Sequence, residues 1–285
     1  MSLRVATLNL WGQQGPWEQR REALQAALAQ AELDAIGVQE VLHFDASVVA
    51  APGSGPSWNQ AAALGESVGL HAAFGAAMQL GFGYAFGNAI LSRFPITAVE
   101  TEILPGEPDV EPRSIVSAVL EAPFGPVPFF STHLPWRFEE GALRVRQVLA
   151  IARAVDRRRT PDGYPPILVG DFNAEPESDE IRFLRGLHAC EGQSTYFIDA
   201  FAETGRGDGA TYSQRNAYAA AVGEPDRRID YVFVRGRDPR GFGRPLSARV
   251  AFDQPMSVPS SSTPVFPSDH FGVIADLRSR ELASI

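Results

Sequence analysis

Eight apolar runs with strand character recur along the chain, and this pattern constrains the fold more than any other feature. They are LRVATLNLW, AIGVQEV, GNAILS, SIVSAVLE, VPFFSTHL, PILVGDF, RIDYVFVRG and FGVIADL. The segment APFGP separates the fourth run from the fifth and has turn chemistry, which predicts an antiparallel hairpin. Sheets built from so many apolar strands need covering layers to bury their faces.

Two amphipathic helix patterns lie between the strands and can supply those layers. The first covers 17–31, with an apolar stripe of Leu24, Ala27, Leu28 and Ala31. Its charged residues Arg20, Arg21 and Glu22 are expected to stay outside. The second covers 139–159, with a stripe of Val145, Val148, Leu149, Ala152 and Val155. We predict one α/β domain over 1–285, a four-layer αββα sandwich of two mostly antiparallel sheets packed face to face with helices outside.

Polar segments rich in Gly and Pro, at 51–60, 105–112, 205–225 and 253–268, are predicted to form long loops. The low-polarity stretch 72–92, AAFGAAMQLGFGYAFGNAILS, contains Gln79 and Asn88 and runs into a turn. It is therefore interpreted as strands joined by a glycine loop, and no membrane span is predicted.

The charge and cysteine content exclude several classes of function. The net charge is −9 and all 25 basic residues are Arg, which excludes lysine Schiff-base chemistry and a P-loop lysine. Overall acidity also argues against, without excluding, tight binding to nucleic acid. One cysteine, Cys190, gives no internal disulfide, and MSLRVATLNLWG has no secretory pattern. A cytoplasmic location is the expectation.

Acids, amides and imidazoles occur at the ends of the predicted strands. They are Asn9, Glu40, His133, Asp171, Asn173, Asp230, Asp269 and His270. Each one alone is better explained as a turn cap, a solvated acid or a hydrogen-bonded core histidine. Together they are better explained by convergence on one metal-holding cleft, because buried carboxylates are costly unless they are paired or bound to a metal.

Strand alternation predicts which way several of these side chains point. Asp171 and Asn173 are expected to share a face while Phe172 packs in the core. By the same rule, Glu40 is expected on the side of Val38, and Asn9 on the side of Thr7.

The ordered motifs NLW, QE, STHL, GDFNAEP, RIDYVF and SDHFGV resemble those of the endonuclease/exonuclease/phosphatase superfamily. This superfamily includes deoxyribonuclease I, exonuclease III, neutral sphingomyelinases and inositol polyphosphate 5-phosphatases. The resemblance runs from about residue 5 to about residue 277. It implies a four-layer sandwich with the active site at one edge of the two packed sheets.

The resemblance and the chemistry of the side chains together suggest a metal site. Mg²⁺ prefers oxygen ligands, so Glu40 is the candidate for the principal ligand, with Mn²⁺ as a possible substitute. Asn9 and Asp269 are the expected partners, bound directly or through water. The metal would polarise a phosphoryl oxygen or stabilise the leaving oxygen.

The remaining strand-end residues are candidates for the reaction itself. Asp171 is expected to orient and deprotonate the attacking water, and Asn173 to donate to the phosphoryl group. His270, oriented by Asp230, would contact the scissile phosphate or take the proton. His133 would donate to a phosphate oxygen or protonate the leaving group.

In deoxyribonuclease I a further Glu supports the imidazole that corresponds to His133, and this sequence has no clear equivalent. Tyr84 or Asn88 is an alternative contact to the phosphate, with structural packing an equal possibility for each. Arg113 is a further candidate phosphate ligand. The alternative for Arg113 is a salt bridge to Glu107, Asp109 or Glu111.

These features predict a Mg²⁺-dependent phosphoesterase that acts on a phosphodiester by direct attack of water. The acidic composition favours a small-molecule or lipid-headgroup substrate. One alternative is an endonuclease or exonuclease acting on DNA or RNA. Another is a binding module of the same fold without turnover, which ranks lower because every core position is filled. No protein partner is evident.

Overall fold

The computed structural model describes residues 2–48, 56–160 and 162–279. Within them, one sheet of seven strands, sheet 1, contains β1 (Ser2–Asn9), β2 (Ala35–Phe44), β3 (Trp58–Asn59), β4 (His71–Gly81), β5 (Tyr84–Ser92), β12 (Pro245–Ala251) and β13 (Gly272–Arg278). Its strand order is β12-β13-β1-β2-β5-β4, and β3 pairs with β2 at one side.

The second sheet, sheet 2, has six strands in the described part of the chain. They are β6 (Ile96–Ile103), β7 (Ser114–Ala122), β8 (Gly125–His133), β9 (Ile167–Asp171), β10 (Phe197–Asp199) and β11 (Asp230–Arg235). The strand order is β10-β11-β9-β8-β7-β6. The predicted hairpin is present, because β7 and β8 pair antiparallel up to Ala122 opposite Gly125.

Each sheet contains one parallel pair, β1 with β2 and β8 with β9. The other strand pairs among the described residues are antiparallel. A helix makes each parallel connection, α1 (Trp17–Ala31) in sheet 1 and α3 (Gly141–Arg157) in sheet 2. The two sheets are therefore built around matching strand–helix–strand units, as parallel pairing requires a crossover.

Four further helices are present in the described residues: α2 (Gln60–Val68), α4 (Asp179–Leu184), α5 (Ala200–Thr204) and α6 (Ala217–Ala220). The side chain of Asn59 caps α2 by accepting from the backbone N–H of Ala62. The sequence pattern did not predict α2, and its start falls at the end of the predicted loop 51–60. Residues 51–55 of that loop lie outside the described residues.

Three apolar layers confirm the predicted sandwich. Side chains of both sheets meet in the middle, among them Val5 and Ile90 from sheet 1 and Phe129 and Val232 from sheet 2. Helices α1 and α2 cover the outer face of sheet 1, and α3 and α4 cover that of sheet 2. Burying both faces of each sheet explains why the strands are apolar on successive residues.

The helix predictions need two corrections. Arg20 was expected outside, but its side chain is fully buried. It lies one helical turn before Leu24, on the apolar stripe, so its spacing and not its charge determines its place. The second helix is shorter than predicted, Gly141–Arg157.

Residues 71–92 form the β4–β5 hairpin, as predicted. Among the described residues, no helix combines the length and apolarity that crossing a membrane requires. The short helix α6 interrupts the predicted loop 205–225.

Candidate active site

The polar strand ends meet at one edge of the two sheets. The parallel pairs β1/β2 and β8/β9 bring their carboxyl ends there, and the antiparallel neighbours β11 and β13 begin at the same edge. A cleft of ≈ 530 Å³ opens at this edge. Of the predicted residues it is lined by Glu40, Arg113, His133, Asp171, Asn173, Asp269 and His270. Asn9 and Asp230 lie behind it and hydrogen-bond to members of this set.

Asp171 lies at the centre of the group. Its Oδ2 accepts from Asn9 Nδ2 at 3.0 Å, and its Oδ1 accepts from the backbone N–H of Asn173 at 2.9 Å. The Nε2 atoms of His133 and His270 lie 3.5 Å and 3.8 Å from Oδ2. Burial, followed by the nearby charge of Asp230, raises the pKa of Asp171 to about 6.

Gly170 allows this placement, because a Cβ there would lie 2.2 Å from the backbone oxygen of Thr132. Strand β9 ends at Asp171, and Asn173 has a left-handed backbone conformation with φ 48°. The two side chains still both approach His133, although not through simple strand alternation. Phe172 is fully buried among core aromatic residues, as predicted.

His270 and Asp230 form a hydrogen-bonded pair, with Nδ1 3.1 Å from Oδ2. The ring of Tyr212 packs against the imidazole in an edge contact with centroids 5.1 Å apart. Burial opposes a charge on His270, but the carboxylates of Asp230, Asp171 and Asp269 outweigh it and raise the pKa well above its ordinary value. The structure therefore favours the imidazolium form at this position.

His133 has different neighbours at its two ring nitrogens. Its Nδ1 lies 3.5 Å from Arg113 Nη1, and its Nε2 lies 3.2 Å from Asn173 Nδ2 and 3.5 Å from Asp171 Oδ2. Since a guanidinium can only donate, Arg113 favours a neutral ring with the lone pair on Nδ1 and the N–H on Nε2. Burial, followed by the charges of Arg113 and His270, lowers the pKa of His133 well below its ordinary value.

Arg113 is nearly fully buried at 3% exposure, and it pairs through Nη2 with Glu111 at 3.2 Å. The predicted salt bridge is thus present, and the same guanidinium also lines the cleft. Its Nε atom is buried without a hydrogen-bond partner. Burial lowers the pKa of Arg113, opposed by the charge of Glu111.

Glu40 occupies a β-bulge. The pairing of β2 with β5 shifts register between Val38 and Val41, and Glu40 has φ 57°. The bulge therefore interrupts the alternation of side-chain directions after Val38. Glu40 Oε1 accepts a hydrogen bond from Asn9 Nδ2 at 3.1 Å. A bulge that re-aims one side chain is common beside active sites. Burial, followed by the charge of Asp269, raises the pKa of Glu40 to about 7.

Asn9 and Thr7 both point toward sheet 2, as predicted. Asn9 donates to Asp171, and Thr7 contacts Gln39, which in turn donates to Ser131 of sheet 2. Its Oδ1 accepts from the backbone N–H of Trp11 at 2.9 Å, so its NH₂ group faces the carboxylates. Asn9 therefore bridges Glu40 and Asp171 and does not present an oxygen to the cleft. This orientation differs from that expected of a direct metal ligand.

Glu40 and Asp269 are partly buried acids, and the charge of Asp269 contributes to the raised pKa of Glu40. The pKa of Asp269 is also raised, chiefly by burial, and neither carboxylate belongs to an ion pair among the described residues. Two such acids fit an oxygen-coordinated divalent cation, which would supply the missing positive charge. A more compact group, Asp171, Asp230 and His270, brings its potential ligand atoms within 4.8 Å of one another.

Two predicted substrate contacts lie elsewhere. Tyr84 packs against Phe44, with ring centroids 4.9 Å apart, and does not line the cleft. Asn88 is buried between the sheets, where Nδ2 donates to the backbone oxygen of Ser114 at 3.0 Å. For both residues the contacts support the alternative of structural packing, since Tyr84 packs against Phe44 and Asn88 bonds within the sandwich.

Several further residues of the cleft were not predicted from the sequence. Tyr212, Trp136 and Arg227 line the cleft, and Arg227 places its guanidinium 4.7 Å from the ring of Phe138. They come from loops, where no periodic pattern indicates direction. For Tyr212 a signal existed in its position shortly before the Asp230 strand.

The model of the endonuclease/exonuclease/phosphatase family matches residues 6–270. The chain belongs to this family. Family members are metal-dependent hydrolases of phosphoester bonds, and the group of acids and imidazoles at the sheet edge fits that chemistry. No curated protein sequence matches the chain.

Solved structures share the fold of this family member over nearly its whole length. An endonuclease/exonuclease/phosphatase from Beutenbergia cavernae is 25% identical, with a TM-score of 0.66 over 98% of this chain and 72% of that one. A family protein from Leptotrichia buccalis is 18% identical, with a TM-score of 0.68 and coverage of 97% and 99%. Truncated TDP2 of Caenorhabditis elegans is 17% identical, with a TM-score of 0.69 and coverage of 97% and 98%.

Proposed function

We propose that this chain is a Mg²⁺-dependent phosphodiesterase in which Asp171 activates water for direct attack on phosphorus. The observation that carries the proposal is the position of Asp171. It is buried between two imidazoles, is fixed by Asn9 and the Asn173 backbone, and has a pKa of about 6. A carboxylate with a pKa near neutrality is suited to accept a proton from water.

Glu40 and Asp269 would hold the metal, with Mn²⁺ able to replace Mg²⁺. The bound cation would polarise a phosphoryl oxygen and stabilise charge on the leaving oxygen. Asn9 acts as the bridge between this site and the base, because one NH₂ group donates to both Glu40 and Asp171. We assign Asp171, Asp230 and His270 to the reaction and not to the metal, because Asp230 and His270 are already hydrogen-bonded to each other.

The two imidazoles take different roles. His270, held in the charged form by Asp230, donates from Nε2 to a phosphate oxygen, and this role is favoured over that of a base. His133 is neutral at pH 7, so it is a poor acid for the leaving group. We therefore favour hydrogen bonding to a phosphate oxygen for His133, together with Asn173.

Arg113 is the proposed cationic ligand of the phosphate. Its buried guanidinium lines the cleft and has one donor, Nε, without a partner. A guanidinium delivers donors in a plane that matches two phosphate oxygens. Glu111, which is half exposed, can release one edge of the group when substrate binds.

Apolar side chains in and around the cleft support a small substrate with an apolar group. The residues that line the cleft include Leu42, Met78, Leu80, Phe86, Trp136 and Val222. Trp136 is 52% exposed and Val222 is 62% exposed. Exposed apolar side chains beside a polar centre are typical of ligand-binding clefts.

The charges of the cleft support the same substrate class. Its arginines, Arg113 and Arg227, are each paired with a glutamate of the cleft, Glu111 and Glu224. A polyanion would find few unpaired cations beyond the scissile phosphate. A nuclease remains the second candidate, because the family description itself includes endonucleases and exonucleases.

A substrate panel with Mg²⁺ and Mn²⁺ tests the proposal. It should compare bis-p-nitrophenyl phosphate, a choline phosphodiester with an alkyl chain, p-nitrophenyl phosphate and single-stranded and duplex DNA. We expect metal-dependent hydrolysis with the highest kcat/KM on diesters that carry apolar groups. A higher kcat/KM on DNA at physiological salt would select the nuclease, and no hydrolysis of any substrate with either metal would reject the enzyme.

A further inference from the structure

Two buried arginines, Arg20 and Arg144, occupy equivalent places in the two strand–helix–strand units. In each unit a parallel strand ends in a polar site residue, a loop follows, and the next helix carries the arginine. The same number of residues separates Asn9 from Arg20 and His133 from Arg144. Both arginines therefore project from the start of their helix toward the cleft edge of their sheet.

Arg20 holds the loop 10–15, called here the first rim loop. Its Nη1 donates to the carbonyl oxygens of Gln14 at 3.0 Å and Gly12 at 3.5 Å, and its Nη2 donates to that of Leu10. The guanidinium also lies 4.7 Å from the ring of Trp11. Residues 11–14 line the cleft, so Arg20 holds one wall of the site from behind.

Arg144 holds the loop 134–138, called here the second rim loop. Its Nη1 donates to the carbonyl oxygens of Pro135 at 3.0 Å and Arg137 at 2.7 Å, and its Nη2 donates to that of Phe138 at 3.5 Å. Trp136 of this loop lines the cleft on the sheet 2 side. Each rim loop is thus bound to one guanidinium through three backbone carbonyls.

The first rim loop contains backbone conformations that need outside support. Trp11 and Gly12 have φ values of 56° and 47°, and a bulky residue keeps that conformation only when its surroundings impose it. A planar guanidinium can satisfy several carbonyls at once, which a lysine ammonium on its flexible stem cannot do with the same geometry. Burying such a charge is costly unless its donors are used.

We propose that Arg20 and Arg144 are positioning residues for phosphoester hydrolysis, which keep the two rim loops in place before substrate binds. This inference rests on the proposed function, because it takes the cleft between the two rim loops as the place where the substrate binds. Neither arginine touches the reacting atoms. Their effect passes through Trp11 and Trp136, and through the strand ends that carry Asn9 and His133.

Arg20→Lys and Arg144→Lys test this proposal with the charge retained. Retention matters at Arg144, whose Nε pairs with buried Glu180 at 2.6 Å. Arg21→Lys and Arg146→Lys are matched controls on the same two helices, at exposed arginines that pair with Glu18 and Glu107. All variants should be compared by amide hydrogen exchange and by kinetics with a small diester.

We expect Arg20→Lys to speed exchange in the first rim loop alone, and Arg144→Lys in the second rim loop alone. Each should raise KM at least about tenfold and leave kcat within about threefold, because the loops bind the substrate before and during the reaction. The controls should match the wild-type protein. A purely structural role would instead raise exchange throughout the core strands.

Unchanged exchange in the rim loops would overturn the proposal. So would faster loop exchange with unchanged KM, since the loops would then not position substrate. If the wild-type protein hydrolysed no phosphoester, the proposed function would fail on its own. In that case the exchange result would still decide whether the arginines hold the loops.

Discussion

The Nδ1 atom of His133 lies 3.5 Å from the Nη1 atom of Arg113, so this edge of the imidazole faces a cation. A guanidinium can only donate, so the lone pair of Nδ1 must face it. The other imidazole, His270, has the opposite environment because Asp230 accepts from it. The two histidines of the cleft are therefore set to opposite charge states.

Arg113→Met should raise the pKa of His133 toward its ordinary value and remove a phosphate ligand. Because loss of a charged hydrogen bond costs about 1.5–3 kcal/mol, we expect kcat/KM to fall by about one to two orders of magnitude. The acid limb of the pH profile of kcat/KM should move to higher pH. Arg113→Lys, which keeps the charge, should leave that limb in place. An unmoved limb in Arg113→Met would contradict the assignment.

Asp230→Asn should lower the pKa of His270, because it removes the carboxylate that accepts from Nδ1. We expect the neutral ring to replace the imidazolium at pH 7, and kcat to fall about 10²- to 10⁴-fold. NMR titration of the imidazole carbon-bound protons measures this pKa directly. A His270 pKa that stays high in the variant would show that Asp230 does not set its charge.

Glu40→Gln should abolish tight binding of the divalent cation. The substitution keeps the shape of the side chain and its bond from Asn9 while removing the charge that faces Asp269. Calorimetric titration with Mn²⁺ should show loss of at least about tenfold in affinity. Tyr84→Phe, at a side chain that does not line the cleft, is a control that should bind like the wild-type protein. Equal affinity in all three proteins would exclude Glu40 as a ligand.

The raised pKa of Glu40 also predicts how the stability of the metal-free protein depends on pH. Its folded pKa, about 7, is raised from 4.5, so between these values the folded state binds more protons than the unfolded state. The free energy of unfolding therefore falls as pH rises from about 4.5 to about 7. His133, with a lowered pKa, has the opposite effect below its ordinary pKa of 6.5.

Urea unfolding with a chelator isolates the contribution of Glu40. The difference in stability between Glu40→Gln and the wild-type protein should shift in favour of the variant as pH rises through that window. Saturating Mn²⁺ should reverse the trend for the wild-type protein, because the cation stabilises the ionised carboxylate. A difference that stays constant with pH would contradict the raised pKa.

Phe172→Ala should destabilise the protein by about 3–5 kcal/mol, because it opens a cavity in the layer under α3 and α4. The ring makes edge contacts with Tyr231 and Phe233, at centroid distances of 5.5 Å and 5.3 Å. Denaturant unfolding measures the loss. Phe172→Leu, a smaller change in volume, should lose less. A loss below about 1 kcal/mol in Phe172→Ala would contradict the expected cavity.

The strands and most of the site could be predicted from sequence because strand ends and motifs are local signals. Asp171, Asp230 and His270 come together because β9, β11 and β13 end or begin at one edge. The direction of Glu40 could not be predicted, because a bulge in β2 changes the alternation of its side chains.

The burial of Arg20 could not be predicted from its charge. A basic residue on a helix is usually exposed, but the partners of Arg20 are carbonyls in a loop whose shape no local pattern specifies. The positions of Tyr84 and Asn88 could not be predicted either, because they depend on tertiary contacts. Tyr84 packs against Phe44, and Asn88 donates to the backbone oxygen of Ser114.

The most direct test of the central claim is hydrolysis of bis-p-nitrophenyl phosphate by the wild-type protein and by Asp171→Asn, each with saturating Mg²⁺ or Mn²⁺. The substitution keeps the shape of the side chain while removing the base. We predict metal-dependent turnover that a chelator abolishes, with kcat about 10²- to 10⁴-fold lower in Asp171→Asn and KM nearly unchanged. Equal kcat values in the two proteins would contradict the role of Asp171 as the residue that activates water.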